Sequence, residues 1–303
     1  MSLRYKFDKV QVLFQKLKTA LFSYDDVIWL VGDGRSGTTW VSDIINFDES
    51  YRIIFEPFHP TRVSFLKGYC KNYFLPPMHD DEVLKAYYSK VFKGQVYDTW
   101  TNREGRGIFR KKLLVKDVFS NLFVDWAALN FKQINIVHLV RNPYAVALSK
   151  NKLRDWEWQE DLTLLMSNDF LLDKYLQPFI KIYEEVTRIN CFALTQFYLW
   201  CVIQLVMINS TNKPTRVLVY EEVVDDYRTV FTVLGMPHPI IGRERLNKPS
   251  SVSMGFEKKK RIRPENKWIE LFGTESFRMT QEMLEAFSLF ELYSRTVREY
   301  PTS

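Results

Sequence analysis

The chain has 303 residues, 46% of them hydrophobic and 26% charged, enough apolar material for a sizeable core in one embellished domain. Its formal net charge of +6 suits an anionic ligand, and suits weak nucleic-acid or membrane-surface contact equally well. Cys70, Cys191 and Cys201 make an odd set with no zinc-type spacing, which suggests no disulfide framework and points to a reducing, cytoplasmic setting.

In chain order, residues 1–25 read as a lysine-bearing amphipathic helix, without the apolar stretch and small-residue cleavage site of a secretory signal. Val27–Val31 is a short apolar run of the kind found in strands buried on both faces. A glycine-rich turn follows it, then a helix from about Thr38 to Asn46 and a strand-like run from Tyr51 to Phe55. Residues 58–109 are aromatic-rich and irregular. Leu113–Val115 and Ile134–Val140 read as further strands, and Pro143 suits the first turn of a helix that starts after Asn142. Residues 155–183 form a second irregular stretch. These two insertions are candidates for acceptor binding, with small helical packing layers as the plainer alternative. Cys191–Ile208 is the most apolar run, and Thr195, Gln196 and Gln204 interrupt it, as in a buried core helix and unlike a membrane span. Arg216–Tyr220 is the last strand-like run. Strands alternating with helices predict an α/β fold: a single domain over residues 1–303, with a central parallel sheet flanked by helices.

The turn after the first strand reads Gly32-Asp33-Gly34-Arg35-Ser36-Gly37-Thr38-Thr39. Its glycine spacing is that of a P-loop, in which backbone N–H groups and a helix N-terminus cradle an anion. Thr38 stands where the Walker version has lysine, and the cation, Arg35, lies inside the loop. That suits a 5′-phosphate bearing one further anion better than a triphosphate with magnesium. About a hundred residues later, Arg141-Asn142-Pro143 ends a strand, and Ser149 follows two helical turns on. Arginine offers a forked donor set for phosphate oxygens.

Together these segments resemble the sulfotransferases that use 3′-phosphoadenosine 5′-phosphosulfate (PAPS). The loop through Trp40 resembles that family's 5′-phosphosulfate loop, and Arg141 to Ser149 its R-x-P-x5-S element. The resemblance implies a P-loop nucleotide-binding fold and sulfuryl transfer from PAPS, without a metal, to a hydroxyl or amine. It implies that Arg35 contacts the phosphosulfate, that Ser36, Gly37, Thr38 and Thr39 bind the 5′-phosphate, and that Trp40 packs against the base. It assigns Arg141 and Ser149 to the 3′-phosphate. Many relatives close a basic loop over that phosphate; residues 258–263 are basic here, with Arg261 and Arg263 as candidates, although the family's Arg-Lys-Gly is missing. Val217–Glu222 resembles a strand that ends in Tyr-Glu-Asp, which makes Tyr220 and Glu221 scaffold.

The reaction also needs a base for the acceptor proton. Where the cytosolic branch has a histidine after Lys-Thr, this chain has Val118 in Lys116-Asp117-Val118. Phe55-Glu56-Pro57 matches the Phe-Glu-Pro of carbohydrate sulfotransferases, which makes Glu56 the candidate base, with His59 as competitor. Lys116 is a candidate cation for the transferring group, and His138, inside an apolar strand, reads as a core residue. The expected partner is a small-molecule, carbohydrate or glycolipid acceptor, with no nucleic acid and no transmembrane segment. The rival reading is an ATP-dependent P-loop phosphotransferase, which should keep the Walker lysine.

Overall fold

The computed structural model describes residues 17, 23–66, 74–103, 110–153, 161–210, 216–246, 270 and 272–297. Five strands, β1 (Asp26–Gly32), β2 (Tyr51–Phe55), β3 (Lys112–Asp117), β4 (Asn135–Val140) and β5 (Arg216–Val219), form one sheet in the order β2-β3-β1-β4-β5. Every pairing is parallel. The chain leaves β1 to build one side of the sheet and then crosses to β4 on the other. A crevice therefore opens at the carboxyl ends of the strands around β1, where open α/β sheets bind ligands.

Both faces are buried, which explains the nearly unbroken apolar runs. On one face Ile28, Leu30, Leu114 and Leu139 pack with Val41, Ile44 and Ile45 of α1 (Thr38–Ile45). On the other, Trp29, Val31, Val115 and Ile136 pack with α2 (Glu82–Phe92), α3 (Val124–Asn130), α4 (Pro143–Asn151), α5 (Ile180–Ile189) and α6 (Phe192–Ile208). Helices α7 (Tyr220–Asp225) and α8 (Arg228–Leu234) follow β5.

Helix α6 is a core helix, with 14 of its 17 residues buried. Its glutamines have buried partners: Gln196 accepts from Lys150 Nζ at 3.0 Å, and Gln204 Oε1 lies 3.0 Å from His138 Nε2. No helix among the described residues is long and apolar enough to cross a membrane. The described parts of the two aromatic insertions contain helix α2 and a series of single helical turns over 163–179. The expected N-terminal helix lies almost wholly outside the described residues.

Candidate active site

The turn between β1 and α1 is shaped by close approaches that only glycine permits. A Cβ on Gly32 would lie 2.7 Å from the carbonyl oxygen of Leu139 on β4. Gly37 has φ +91°, and a Cβ there would lie 2.4 Å from the Tyr220 ring. Arg35 itself adopts φ 71°, a left-handed conformation that costs a non-glycine residue about 1–2 kcal/mol. The surrounding contacts hold it there. Ser36 N donates to Asp33 O at 3.1 Å. The Asp33 carboxylate receives Lys150 Nζ of α4 on both oxygens, at 2.8 and 2.7 Å, with both side chains buried. This buried pair ties the loop to α4 and, through Gln196, to α6. The sequence reading had singled out neither Asp33 nor Lys150 for a role.

The second motif arrives from β4. Arg141 leaves the strand with its carbonyl accepting from Trp200 Nε1 at 3.0 Å. Asn142 then caps α4 by accepting from Tyr144 N and Ala145 N at 3.1 and 3.2 Å. Arg141 Nη1 donates to the carbonyl of Arg35 at 2.9 Å, and Arg35 Nε donates to Ser149 Oγ at 2.9 Å. Residues 106 and 114 positions apart are thus brought together. Burial first, and then the neighbouring Arg141 charge, hold the Arg35 guanidinium below its ordinary pKa. Two cations kept side by side in a half-buried site make a strong demand for an anion. Two further donors are buried without a partner among the described residues, Ser36 Oγ and Arg141 Nε. A buried donor left unsatisfied costs about 1–3 kcal/mol, so both should gain from an oxyanion ligand.

Tyr220 lies just past the strand end and packs as scaffold at the site's edge. The strand stops at Val219, Tyr220 opens α7, and its ring lies 4.4 Å from Arg141 Cζ and 5.5 Å from the Trp40 ring. It forms a wall of the site against Gly37. A tyrosine at a strand end carries no local signal for this, because the contacts come from two distant segments. Glu221 also acts as scaffold, accepting from Asn142 N at 3.2 Å. Thr38 and Thr39 are buried in the first turn of α1, and Trp40 is anchored by its Nε1 donating to Leu246 O at 3.1 Å. Arg261 and Arg263 lie outside the described residues.

Glu56 caps the end of β2 in a strained conformation, φ 42°. Its N donates to Lys116 O at 2.7 Å, and its carbonyl accepts from His59 N and from Trp100 Nε1 at 3.2 and 3.3 Å. Its Oε1 pairs with Lys116 Nζ, which also sits 4.3 Å above the Phe55 ring. In register Lys116 lies beside Leu30 of β1 and Phe55 of β2, so its side chain shares the sheet face covered by α1. The carboxylate–ammonium pair therefore neighbours the strand that carries the phosphate loop.

The other titratable groups nearby are committed elsewhere. His59 Nδ1 faces its own turn, accepting from Thr61 N and Arg62 N at 3.3 and 3.4 Å, and its ring packs on Phe119. Asp117 Oδ2 accepts from Phe119 N, Ser120 N and Ser120 Oγ at 2.9, 2.8 and 2.6 Å. Burial, and in smaller part the Glu56 charge, push the Asp117 carboxyl up. His138 is a buried core residue, pushed down to about 4 by burial.

No protein-family model and no curated protein matches the chain. Three solved structures are similar to it at low identity. The sulfotransferase domain of the olefin synthase of Synechococcus PCC 7002 is 17% identical, with 88% of this chain and 95% of that one covered and a TM-score of 0.41. Mouse sulfotransferase SULT7A1, complexed with PAP, is 13% identical over 95% and 92% of the two chains, with a TM-score of 0.43. The sulfotransferase domain from the curacin biosynthetic pathway is 12% identical over 88% and 99%, with a TM-score of 0.40.

Proposed function

We propose that the chain is a sulfotransferase that takes its sulfuryl group from PAPS and places it on a hydroxyl or amine of a small-molecule or carbohydrate acceptor, working in the reducing cytoplasm. One observation carries the proposal. A P-loop without the Walker lysine holds Arg35 against Arg141, with Ser36 Oγ and Arg141 Nε buried beside them and without a partner among the described residues. These donors fit a nucleotide bearing separate 5′ and 3′ anions. When bound, PAPS supplies an activated sulfuryl group and a phosphate leaving group.

The protein's own work is binding, orientation and proton removal. The loop N–H groups and the N-terminus of α1 hold the 5′-phosphate. Arg35 meets charge that grows on that side, and Arg141 with Ser149 holds the 3′-phosphate. Glu56 accepts the acceptor's proton. Its ion pair with Lys116 fixes the carboxylate until then, and protonation of Glu56 frees the ammonium to meet negative charge on the face it shares with α1. Placing fixed cations where charge develops is the general device of such sites.

Calorimetry with desulfated nucleotides tests the reading directly. PAP should bind at least about tenfold tighter than adenosine 5′-phosphate, because a charge-assisted phosphate contact is worth roughly 1.5–3 kcal/mol. Equal affinities, or tighter binding of ATP with magnesium than of PAP, would overturn it in favour of another nucleotide chemistry.

A further inference from the structure

A second cluster of cations gathers around Trp100, beside Glu56 in the chain's fold, and has no part in the phosphate site. Arg62 Cζ lies 5.5 Å from the Trp100 ring centroid. Arg103 Cζ lies 5.2 Å from the same ring and 4.7 Å from Phe55. Trp100 is fixed to the base candidate itself, since its Nε1 donates to the Glu56 carbonyl. His59 meets Trp100 edge-on at 5.1 Å and Phe119 at 4.2 Å, extending the aromatic surface.

Both arginines are exposed, and among the described residues neither pairs with a carboxylate. Described carboxylates of the neighbouring segments have other partners. Asp98 accepts from Trp100 N, Thr101 N and Thr101 Oγ1, and so shapes the turn that presents Trp100 and Arg103. Glu56 pairs with Lys116, and Asp117 is buried beneath its own turn. A guanidinium resting on a ring spends its π face and keeps its in-plane N–H donors for an oxyanion. Two such guanidiniums on one tryptophan, with no carboxylate partner among the described residues, gather positive charge around the ring whose Nε1 donates to the Glu56 carbonyl.

We infer that the acceptor is anionic: its reacting hydroxyl is flanked by a carboxylate or sulfate held by Arg62 and Arg103 beside Trp100. The inference rests on the sulfotransferase reading, with Glu56 as the residue that marks the acceptor's position. It names the acceptor class, which no motif in the sequence specifies.

Matched probes test it on the PAP-loaded protein by calorimetry, and on the PAPS-supplied enzyme by turnover. The probes are 4-nitrophenyl β-D-glucuronide, 4-nitrophenyl β-D-glucoside 6-sulfate and the uncharged 4-nitrophenyl β-D-glucoside. The anionic probes should bind about 10- to 100-fold tighter than the neutral one, as expected for charge-assisted pairing. The glucuronide and sulfate arms identify which oxyanion is preferred. Arg62→Ala and Arg103→Ala should each remove most of that preference, leaving glucoside binding, PAP affinity and the melting temperature unchanged. Equal binding of charged and neutral probes, failure of both anionic probes to bind, or equal loss for all probes in the variants would overturn the inference. Failure of PAP itself to bind the wild-type protein would instead remove the sulfotransferase reading beneath it.

Discussion

The two ends of the site are built by different means. Around Arg35 and Arg141, contacts from distant segments fix the backbone: Lys150 on Asp33, Trp200 on the Arg141 carbonyl, Glu221 on Asn142 N. Around Glu56, the end of an edge strand takes a strained φ and is held by Trp100 and His59, which come from turns. The first end presents backbone N–H groups and guanidiniums, a donor set any nucleotide of one shape can use. The second presents side chains on turns, which can change without disturbing the sheet. On the proposed function, a rigid donor end and a turn-built acceptor end would let the acceptor change while the nucleotide site stays the same.

The largest effect should come from the acceptor end. Glu56→Gln should lower kcat by about 10²–10⁴, the usual worth of a positioned base, with PAP affinity unchanged. The structure adds a cost that the motif alone does not suggest. Lys116 is buried and loses its counter-charge, so stability should also fall, by about 1–3 kcal/mol. His59→Asn should leave turnover largely intact, since its Nδ1 serves the turn. Unchanged kcat in Glu56→Gln would make the Lys116 pair architectural and erase the contrast between the ends.

The donor end should instead fail through its scaffold. Lys150→Met leaves the Asp33 carboxylate buried without its cation, and breaking such a pair by removing one partner costs about 3–5 kcal/mol. Asp33→Asn added to Lys150→Met should recover part of that loss in urea melts. PAP affinity in the single variant should fall as well, because Asp33 holds the loop that carries Arg35. A stable Lys150→Met protein with normal PAP affinity would show that the loop holds its shape without the pair.

Much of this was legible in the sequence because it is local. Strand runs buried on both faces, a glycine turn entering a helix, and Asn-Pro opening another are short-range patterns. All five strands fall where the runs suggested, although β3 extends beyond Leu113–Val115 to include Lys116 and Asp117. The Arg35 loop and the Arg141–Ser149 element were both visible as motifs in strand-then-helix settings, while the direct contacts of Arg35 with Ser149 and Arg141 came from the fold. Tyr220, Lys150 and Trp100 could not be found that way. Each owes its place to a tertiary contact: Tyr220 to Gly37, Lys150 to Asp33, Trp100 to the Glu56 carbonyl. Gln196 and Gln204 were visible as polar breaks in an apolar helix, but their partners, Lys150 and His138, were not.

The smallest effect concerns that last contact and separates the two ends by their response to pH. His138 lies on β4, three residues before Arg141, with Nε2 against Gln204 and Nδ1 buried without a partner among the described residues. Burial lowers its pKa from 6.5 to about 4, so the folded protein resists a proton that the unfolded chain accepts. The stability it contributes is full above about pH 6.5, falls as pH drops, and is lost by about pH 4, where the folded imidazole charges too. The loss attributable to His138 over that window is roughly 3 kcal/mol. His138→Gln should flatten the wild-type decline in urea midpoint between pH 7 and pH 4.5 by a corresponding amount, leaving the pH profile of kcat unaltered. If instead the kcat profile shifts in His138→Gln, the imidazole is coupled to the donor end through β4 and Arg141, and the acceptor end no longer holds the reaction's pH dependence alone.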